Sequence, residues 1–244
     1  MKPMIDINSD MGEIQGLLDD DTYAAMLPYV TSINIACGGH AGNDDMMTAM
    51  VLMAKEYNIN IGAHPSYPDR KHFGRRTMAM TPAEIAETVA EQILRLQNIA
   101  DKNGCALSYV KPHGALYNTA VNDPGVAVAI GAGVQSVNEH LPLVGLAEAN
   151  MLTVWKKMGL ESIGEGFADR TYESDGSLRS REFDDALITD PEKAAQQAVH
   201  LAKNETFTAV DGNEVNIKVN TICIHSDTPN AAEISIAVHT ALFA

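Results

Sequence analysis

Seven short β-rich runs recur along the chain, each separated from the next by a longer stretch of helical character, and this alternation restricts the fold more than any other feature. The runs fall at 4–8 (MIDIN), 31–37 (TSINIAC), 59–63 (INIGA), 107–111 (LSYVK), 142–146 (PLVGL), 161–165 (ESIGE) and 219–224 (VNTICI). Several are short apolar runs and not strict alternations, the pattern of strands buried on both faces of a parallel sheet. Thr81-Pro82-Ala83-Glu84 is a capping box with proline at the first helical position, and Ile85, Val89, Ile93, Leu96 and Ala100 then repeat every three or four residues until Gly104. Asp123-Pro124, Asp190-Pro191 and Thr228-Pro229 predict further helices near 124–139, 191–203 and 229–242. A helix over 44–57 carries Met46, Met47, Met50 and Met53 as core filler. Residues 206–218 alternate around Asp211-Gly212-Asn213 and predict a small inserted β-hairpin. Seven βα units with right-handed crossovers close most naturally into a barrel resembling the (β/α)8 form, with an open doubly wound sheet as the alternative. No linker, repeat or charge block interrupts the 244 residues, so a single domain over 1–244 is expected.

Charge and cysteine content narrow the function classes. With 17 Lys and Arg against 32 Asp and Glu, the formal net charge is −15, which argues against nucleic acid or anionic membranes as general partners. Cys37, Cys105 and Cys223 are odd in number and widely spaced, so neither a closed disulfide framework nor a CxxC metal knuckle is expected. Cys37, on a strand, reads as a small buried hydrophobe. The start at Met1-Lys2-Pro3-Met4 shows no secretory leader and no window is apolar enough to span a bilayer, so a cytoplasmic location is expected.

The eight histidines divide by position. His40, His64, His113 and His225 lie at or just beyond strand C-terminal ends, whereas His140, His200 and His239 fall on helices or their ends and His72 in a loop. In a β/α barrel all strand C-terminal ends open onto one face, so the first four should converge. Asp10, Glu13, Asp69, Glu165, Asp169 and Asp227 belong to the same face, Asp227 with a helix-capping role as the alternative. One aspartate and two or three histidines suit a divalent metal, and the same set suits metal-free acid–base chemistry; spacing leaves both open. Six of the seven arginines sit in two loops, Arg70, Arg75 and Arg76 in one and Arg170, Arg179 and Arg181 in the other, and Lys111 lies at a strand end. That concentration points to an anionic small substrate, a phosphorylated intermediate or a nucleotide. The turn Gly38-Gly39-His40-Ala41-Gly42 is a weaker candidate for an anion nest. No GxxxxGK[ST] loop, GxGxxG after the first strand or GxSxG elbow occurs.

The segments DINSDMGE (6–13), SINIACGGHAG (32–42), IGAHPSYPD with FGRR (61–69, 73–76), YVKPHGALYN (109–118), EGFADRTY with GSLRSR (165–172, 176–181) and ICIHSDTP (222–229) closely resemble, in order, the motifs of the LamB/YcsF family. The resemblance implies a seven-stranded, TIM-like parallel β/α barrel of the glycoside hydrolase/deacetylase type. It implies the reaction of 5-oxo-L-proline with ATP and two waters to give L-glutamate, ADP and phosphate. ATP with Mg²⁺ is the implied co-substrate and two further subunits, B and C, resembling the halves of an allophanate-hydrolase-type module, are the implied partners; a homo-oligomer is left open. The family's motif positions carry over to Asp10, His40, His64, His113, Glu165 and Asp169 as catalytic residues. They carry over to Asn34, Arg75, Arg76, Lys111, Arg170 and His225 as substrate- or phosphate-binding residues. The superfamily likeness alone implies a divalent metal on Asp10, His64 and His113, and with it a free-standing metal-dependent deacetylase or glycan hydrolase as the competing function. A non-catalytic regulatory subunit is a third. Ser9, Asn43 and Ser226 depart from the family's usual residues, which makes Asn43 and Ser226 poor catalytic choices.

Overall fold

The computed structural model describes residues 5–244, so Met4, where the first expected strand begins, lies outside the described residues. Seven parallel strands close into a barrel: β1 (Asp6–Met11), β2 (Ser32–Ala36), β3 (Asn60–His64), β4 (Leu107–Val110), β5 (Leu143–Leu146), β6 (Ser162–Phe167) and, after an inserted ribbon of β7 (Phe207–Thr208) and β8 (Glu214–Val215), β9 (Thr221–Cys223). Closure is made by β9, whose Thr221 is in register with both Asp6 of β1 and Glu165 of β6. The closed ring replaces the alternative of an open sheet. The expected hairpin is the antiparallel β7–β8 ribbon, pairing Phe207 with Val215 around Asp211-Gly212-Asn213.

Around the barrel run α1 (Gln15–Asp19), α2 (Thr22–Met26), α3 (Asp44–Tyr57), α4 (Pro82–Lys102), α5 (Gly114–Asn122), α6 (Pro124–Val137), α7 (Asn150–Lys157), α8 (Pro191–Lys203) and α9 (Ala231–Phe243). The capping box of α4 is complete: the Thr81 side chain accepts from the Glu84 amide and the Glu84 carboxylate accepts from the Thr81 amide. Its apolar stripe, Ile85, Val89, Ile93, Leu96 and Ala100, is buried, and Gly104 ends the segment at φ +68°. Gly133 of α6 lets the two helices approach closely, since a Cβ there would lie 2.6 Å from the Ala86 carbonyl oxygen. Asn43, one of the departures, caps α3 by accepting from the Met46 amide.

Two expectations need correction. The helix expected from Thr228-Pro229 begins at Ala231, with Asn230 in the left-handed region at φ 65°. The Thr228 hydroxyl is not its cap; the chain continues past Thr228 before the helix starts, and the hydroxyl donates to the buried Asp169 Oδ2 at 2.6 Å. Strand β1 also extends to Met11, through Asn8, Ser9 and Asp10, because their polar side chains find partners within the barrel instead of water.

Candidate active site

The interior of the barrel is polar at the level of β1. Asn34 Nδ2 donates to Asn8 Oδ1 and to Asp10 Oδ1, each at 2.7 Å. Lys111 Nζ reaches Asp10 Oδ1 and Glu165 Oε1, each at 2.8 Å, with Asn8 Oδ1 at 3.3 Å and Cys223 Sγ at 3.2 Å. Glu165, at 0% exposure, also accepts from Asn8 and from the Tyr117 hydroxyl. Burial alone would discharge these groups. Burial opposes ionisation of Asp10, yet Lys111, His64 and His225 outweigh it and hold its carboxyl well below the ordinary range. Burial likewise opposes the Lys111 charge, and Asp10, Cys223 and Glu165 raise its pKa well above the ordinary value.

Above this layer the expected imidazoles meet. His64 Nδ1 lies 2.7 Å from the Lys111 carbonyl and His113 Nε2 lies 2.9 Å from the Phe73 carbonyl. A carbonyl only accepts, so both of those nitrogens carry hydrogen. The opposite nitrogens, His64 Nε2 and His113 Nδ1, face each other at 3.0 Å. Glu13 Oε1 is 3.1 Å from His113 Nδ1 and 3.7 Å from His64 Nε2, and Asp10 Oδ2 is 3.6 Å from His64 Nε2. With both rings neutral, four lone-pair atoms would converge with no hydrogen among them. Such a point takes a cation, either a proton that makes one ring imidazolium or a metal ion. Burial opposes the His64 charge, but Asp10 and Glu13 raise its pKa nonetheless. Burial also disfavours the charged Glu13, and His113 and His40 hold its carboxyl far below the ordinary range.

His40 stacks face to face on His113 with ring centres 3.6 Å apart, and its Nε2 is 2.8 Å from Glu13 Oε1. Burial, with His113 beside it, pushes the His40 pKa down to about 3, so the ring is neutral and supports Glu13. Glu13, His40, His64 and His113 each offer one ligand atom within 4.8 Å of the others, whereas Asp10 groups separately with Cys223 and His225. The donor set, imidazole and carboxylate with ring nitrogens anchored on backbone carbonyls, fits a divalent cation.

A cavity of about 500 Å³ opens over these residues, lined among others by Asp10, Glu13, His64, Lys111, His113 and His225, with Phe167 and Tyr117 on its walls. Of the residues expected at the site, His40, Glu165 and Asp169 lie beneath this surface and do not line it. Asp169 accepts from the His225 amide, the His225 ring and Thr228, so it positions His225. Asn34 holds Asp10 in the same manner.

The arginines divide sharply. Arg170, although it reaches the cavity wall, donates to the Ala186 and Arg179 carbonyls, and Arg70 donates to the Gly38 and Gly42 carbonyls. The glycine turn thus presents its Gly38 and Gly42 carbonyls to a guanidinium. Arg76 is exposed and outside the cavity lining, while Arg75 lines it. Burial pushes the Cys37 thiol up to about 12, in keeping with a packing role. Glu13 and Arg181, which the sequence placed at this face without a role of their own, and Tyr117, which it did not single out, also line the cavity. Glu13 closes the first motif, two residues beyond β1, and that position was the available signal.

Fold and site together define a closed seven-stranded β/α barrel with a carboxylate–imidazole centre at the C-terminal ends of its strands. The LamB/YcsF family profile matches residues 5–244, and the chain belongs to that family. It is 45% identical over 238 residues to the 5-oxoprolinase A subunit of Chloroflexus aggregans, covering 98% of this chain and 94% of that one. It is 43% identical over 242 residues to the 5-oxoprolinase A subunit of Streptomyces coelicolor, covering 98% and 96%. The crystal structure of a lactam utilization protein from Thermus thermophilus superposes with a TM-score of 0.91 at 38% identity, covering 98% of this chain and 96% of that one. A putative cellobiose-phosphate cleavage protein from Enterococcus faecalis shares the fold alone, at 13% identity and a TM-score of 0.53.

Proposed function

We propose that this chain opens the lactam ring of 5-oxo-L-proline as one component of an ATP-dependent 5-oxoprolinase, acting with two further subunits, B and C, in the cytoplasm. The observation that carries this reading is the cavity itself: an acid–base centre of Asp10, Glu13, His64 and His113 at its floor and guanidinium groups at its mouth, in a chain 45% identical to a 5-oxoprolinase A subunit. No helix among the described residues is long and apolar enough to cross a membrane, and the three cysteines are unpaired, which agrees with a reducing compartment.

Hydrolysis of an unstrained five-membered lactam is close to balanced near neutral pH, so coupling to ATP has a thermodynamic reason. Phosphoryl transfer to the amide oxygen, with ADP leaving, makes the ring carbon electrophilic. Water then adds to that carbon and the ring C–N bond breaks, the nitrogen taking a proton. A second water releases phosphate from the resulting acyl phosphate, and the two waters of the overall reaction are accounted for. Asp10 or the His64–His113 pair takes the proton from the attacking water, and the Lys111 ammonium offsets charge that develops beside Asp10. A divalent ion, if held, would sit on His64, His113 and Glu13 with Asp10 adjacent, and would supply Lewis-acid polarisation of an oxygen.

Reconstitution tests the reading. The chain mixed with its two partner subunits, 5-oxoproline, ATP and Mg²⁺ should release glutamate and ADP in step, and the chain alone should show little turnover. Robust ATP-coupled glutamate formation by the isolated chain would overturn the partner dependence, and none by the complete mixture would overturn the activity. The convergence of lone pairs at His64 and His113 favours a second reading, metal-dependent hydrolysis without ATP, which the same mixture lacking nucleotide distinguishes.

A further inference from the structure

The six loop arginines have unequal commitments. Arg70 and Arg170 are spent on backbone carbonyls, and Arg179 is held by Glu173 at 2.9 Å and by Asp185 at 2.5 Å. Arg76 stands outside the cavity lining. Arg75, from the loop after β3, and Arg181, from the loop after β6, both line the cavity and converge on a single oxygen. Arg75 Nη2 is 2.6 Å and Arg181 Nη1 is 3.6 Å from Asp227 Oδ2, on the loop after β9. Three loops from separate strands therefore meet at one carboxylate atom. Two guanidinium groups on one carboxylate leave a positive charge in excess and most of their N–H donors unused.

The floor is built differently. Asp10 and Glu13 line it beside His64 and His113, and the Lys111 ammonium is taken up between Asp10 and Glu165. An anionic group therefore meets unspent guanidinium donors at the mouth but carboxylates at the floor, and a ligand carrying one anionic end and one neutral end has a single favourable orientation. We propose that Arg75 and Arg181 form the site that reads the substrate's carboxylate, placing the neutral lactam against His64, His113 and Asp10, with Asp227 holding the two guanidinium groups together until the carboxylate arrives. The proposal rests on the lactam reading above and assigns a role to Arg181, a loop arginine that sequence reasoning left without an individual role. It makes the pair specificity-determining: a cyclic amide without a carboxylate loses the mouth contact and keeps the floor.

The test measures binding of 5-oxoproline and of its uncharged carboxamide to the complex assembled with its partners, by calorimetry, for the unaltered chain, Arg181→Ala, Arg75→Ala and Arg181→Lys. The unaltered chain should prefer the acid by tenfold or more. Each alanine variant should bring the two affinities to within about twofold of each other while leaving the carboxamide's own affinity unchanged, and lysine should restore only part of the preference, since it lacks the planar fork. A role confined to structure would weaken both ligands together. Retention of the acid preference in both alanine variants, or equal weakening of both ligands, overturns the arginine assignment and leaves the lactam reading standing. Equal kcat losses for both ligands with unchanged binding would assign the pair to the phosphoryl group and also overturn it. Failure of 5-oxoproline to bind the assembled complex at all overturns both.

Discussion

Lys111→Met is the substitution whose consequences the buried layer fixes most tightly. Lys111 is 3% exposed and lies 2.8 Å from one oxygen each of Asp10 and Glu165. Methionine keeps the apolar stem as far as Cε but leaves two buried carboxylates without their cation. Removing one partner of a buried pair costs about 3–5 kcal/mol, chiefly through the charge left behind. In a chain of this size each kcal/mol moves the melting temperature by about 2–4 °C, so a fall of roughly 6–20 °C is expected. Glu165 should carry most of the penalty, since its remaining partners are Asn8 and the Tyr117 hydroxyl, whereas Asp10 still has His64 and His225 nearby. Glu165→Gln in the Lys111→Met background should therefore recover more than half of the lost stability while activity stays lost. Thermal unfolding of the two single variants and the double variant, with kcat/KM in the reconstituted complex, forms the cycle. A melting temperature within about 2 °C of the unaltered protein for Lys111→Met, or a double variant less stable than the single, would refute the claim that charge pairing organises this layer.

Elemental analysis of gently purified protein should find near-stoichiometric divalent metal that His64→Ala removes; activity surviving exhaustive chelation with only Mg–ATP restored would assign the cluster to proton transfer instead. Arg76→Ala should leave kcat/KM in the complex and the melting temperature close to unaltered, as for an exposed charge worth about 0–1 kcal/mol, and a hundredfold loss would show that it reaches substrate in the assembly. Arg170→Ala should lower the melting temperature, because two carbonyls of the loop after β6 lose a charged donor, each bond worth about 1.5–3 kcal/mol. Gly133→Ala gains about 1 kcal/mol of helix propensity but drives a Cβ to 2.6 Å from a backbone carbonyl that cannot move alone, so net destabilisation of about 1–3 kcal/mol is expected in denaturant titration, and a stabilised variant would show that α4 and α6 separate easily.

The barrel was legible because parallel strands buried on both faces leave apolar runs, and helices with Asp-Pro or Thr-Pro starts announce themselves. Helix α8, at 191–203, is readable to the residue from Asp190-Pro191. Helix α3, at 44–57, shows through its methionine stripe without a proline start, whereas other unmarked helices escape for identifiable reasons. Helices α1 and α2 are five residues each, too short for a period to register, and α5 follows His113 directly with no capping side chain. Thr228 shows the opposite failure, a helix-start signal whose hydroxyl is bound to a long-range partner, Asp169, that local sequence does not reveal.

At the site, chain order translated into convergence because every strand end of a barrel faces the same way; depth did not translate. His40, His64, His113, Glu165 and Asp169 are alike in sequence position, yet His64 and His113 line the cavity while the other three support what does. The distinction arises from register. Asp6, Asn8 and Asp10 occupy alternate positions of β1, and their partners come from across the interior as well as from neighbouring strands: Thr221 and Ser32 for Asp6, Glu165 and Asn34 for Asn8, Lys111 and Asn34 for Asp10. Ile7 and Met11, between and beyond them, join the hydrophobic core. The alternation was thus present in the sequence, with its polar face inward, the reverse of the usual assignment for a half-buried strand. A barrel filled in this way forgoes much of the apolar packing that normally occupies its axis, and each polar group must be satisfied by another. The same requirement that keeps the interior from being destabilising fixes Asp10 and Lys111 from several sides, so the polar layers beneath the cavity act as the rigid base on which His64 and His113 are set.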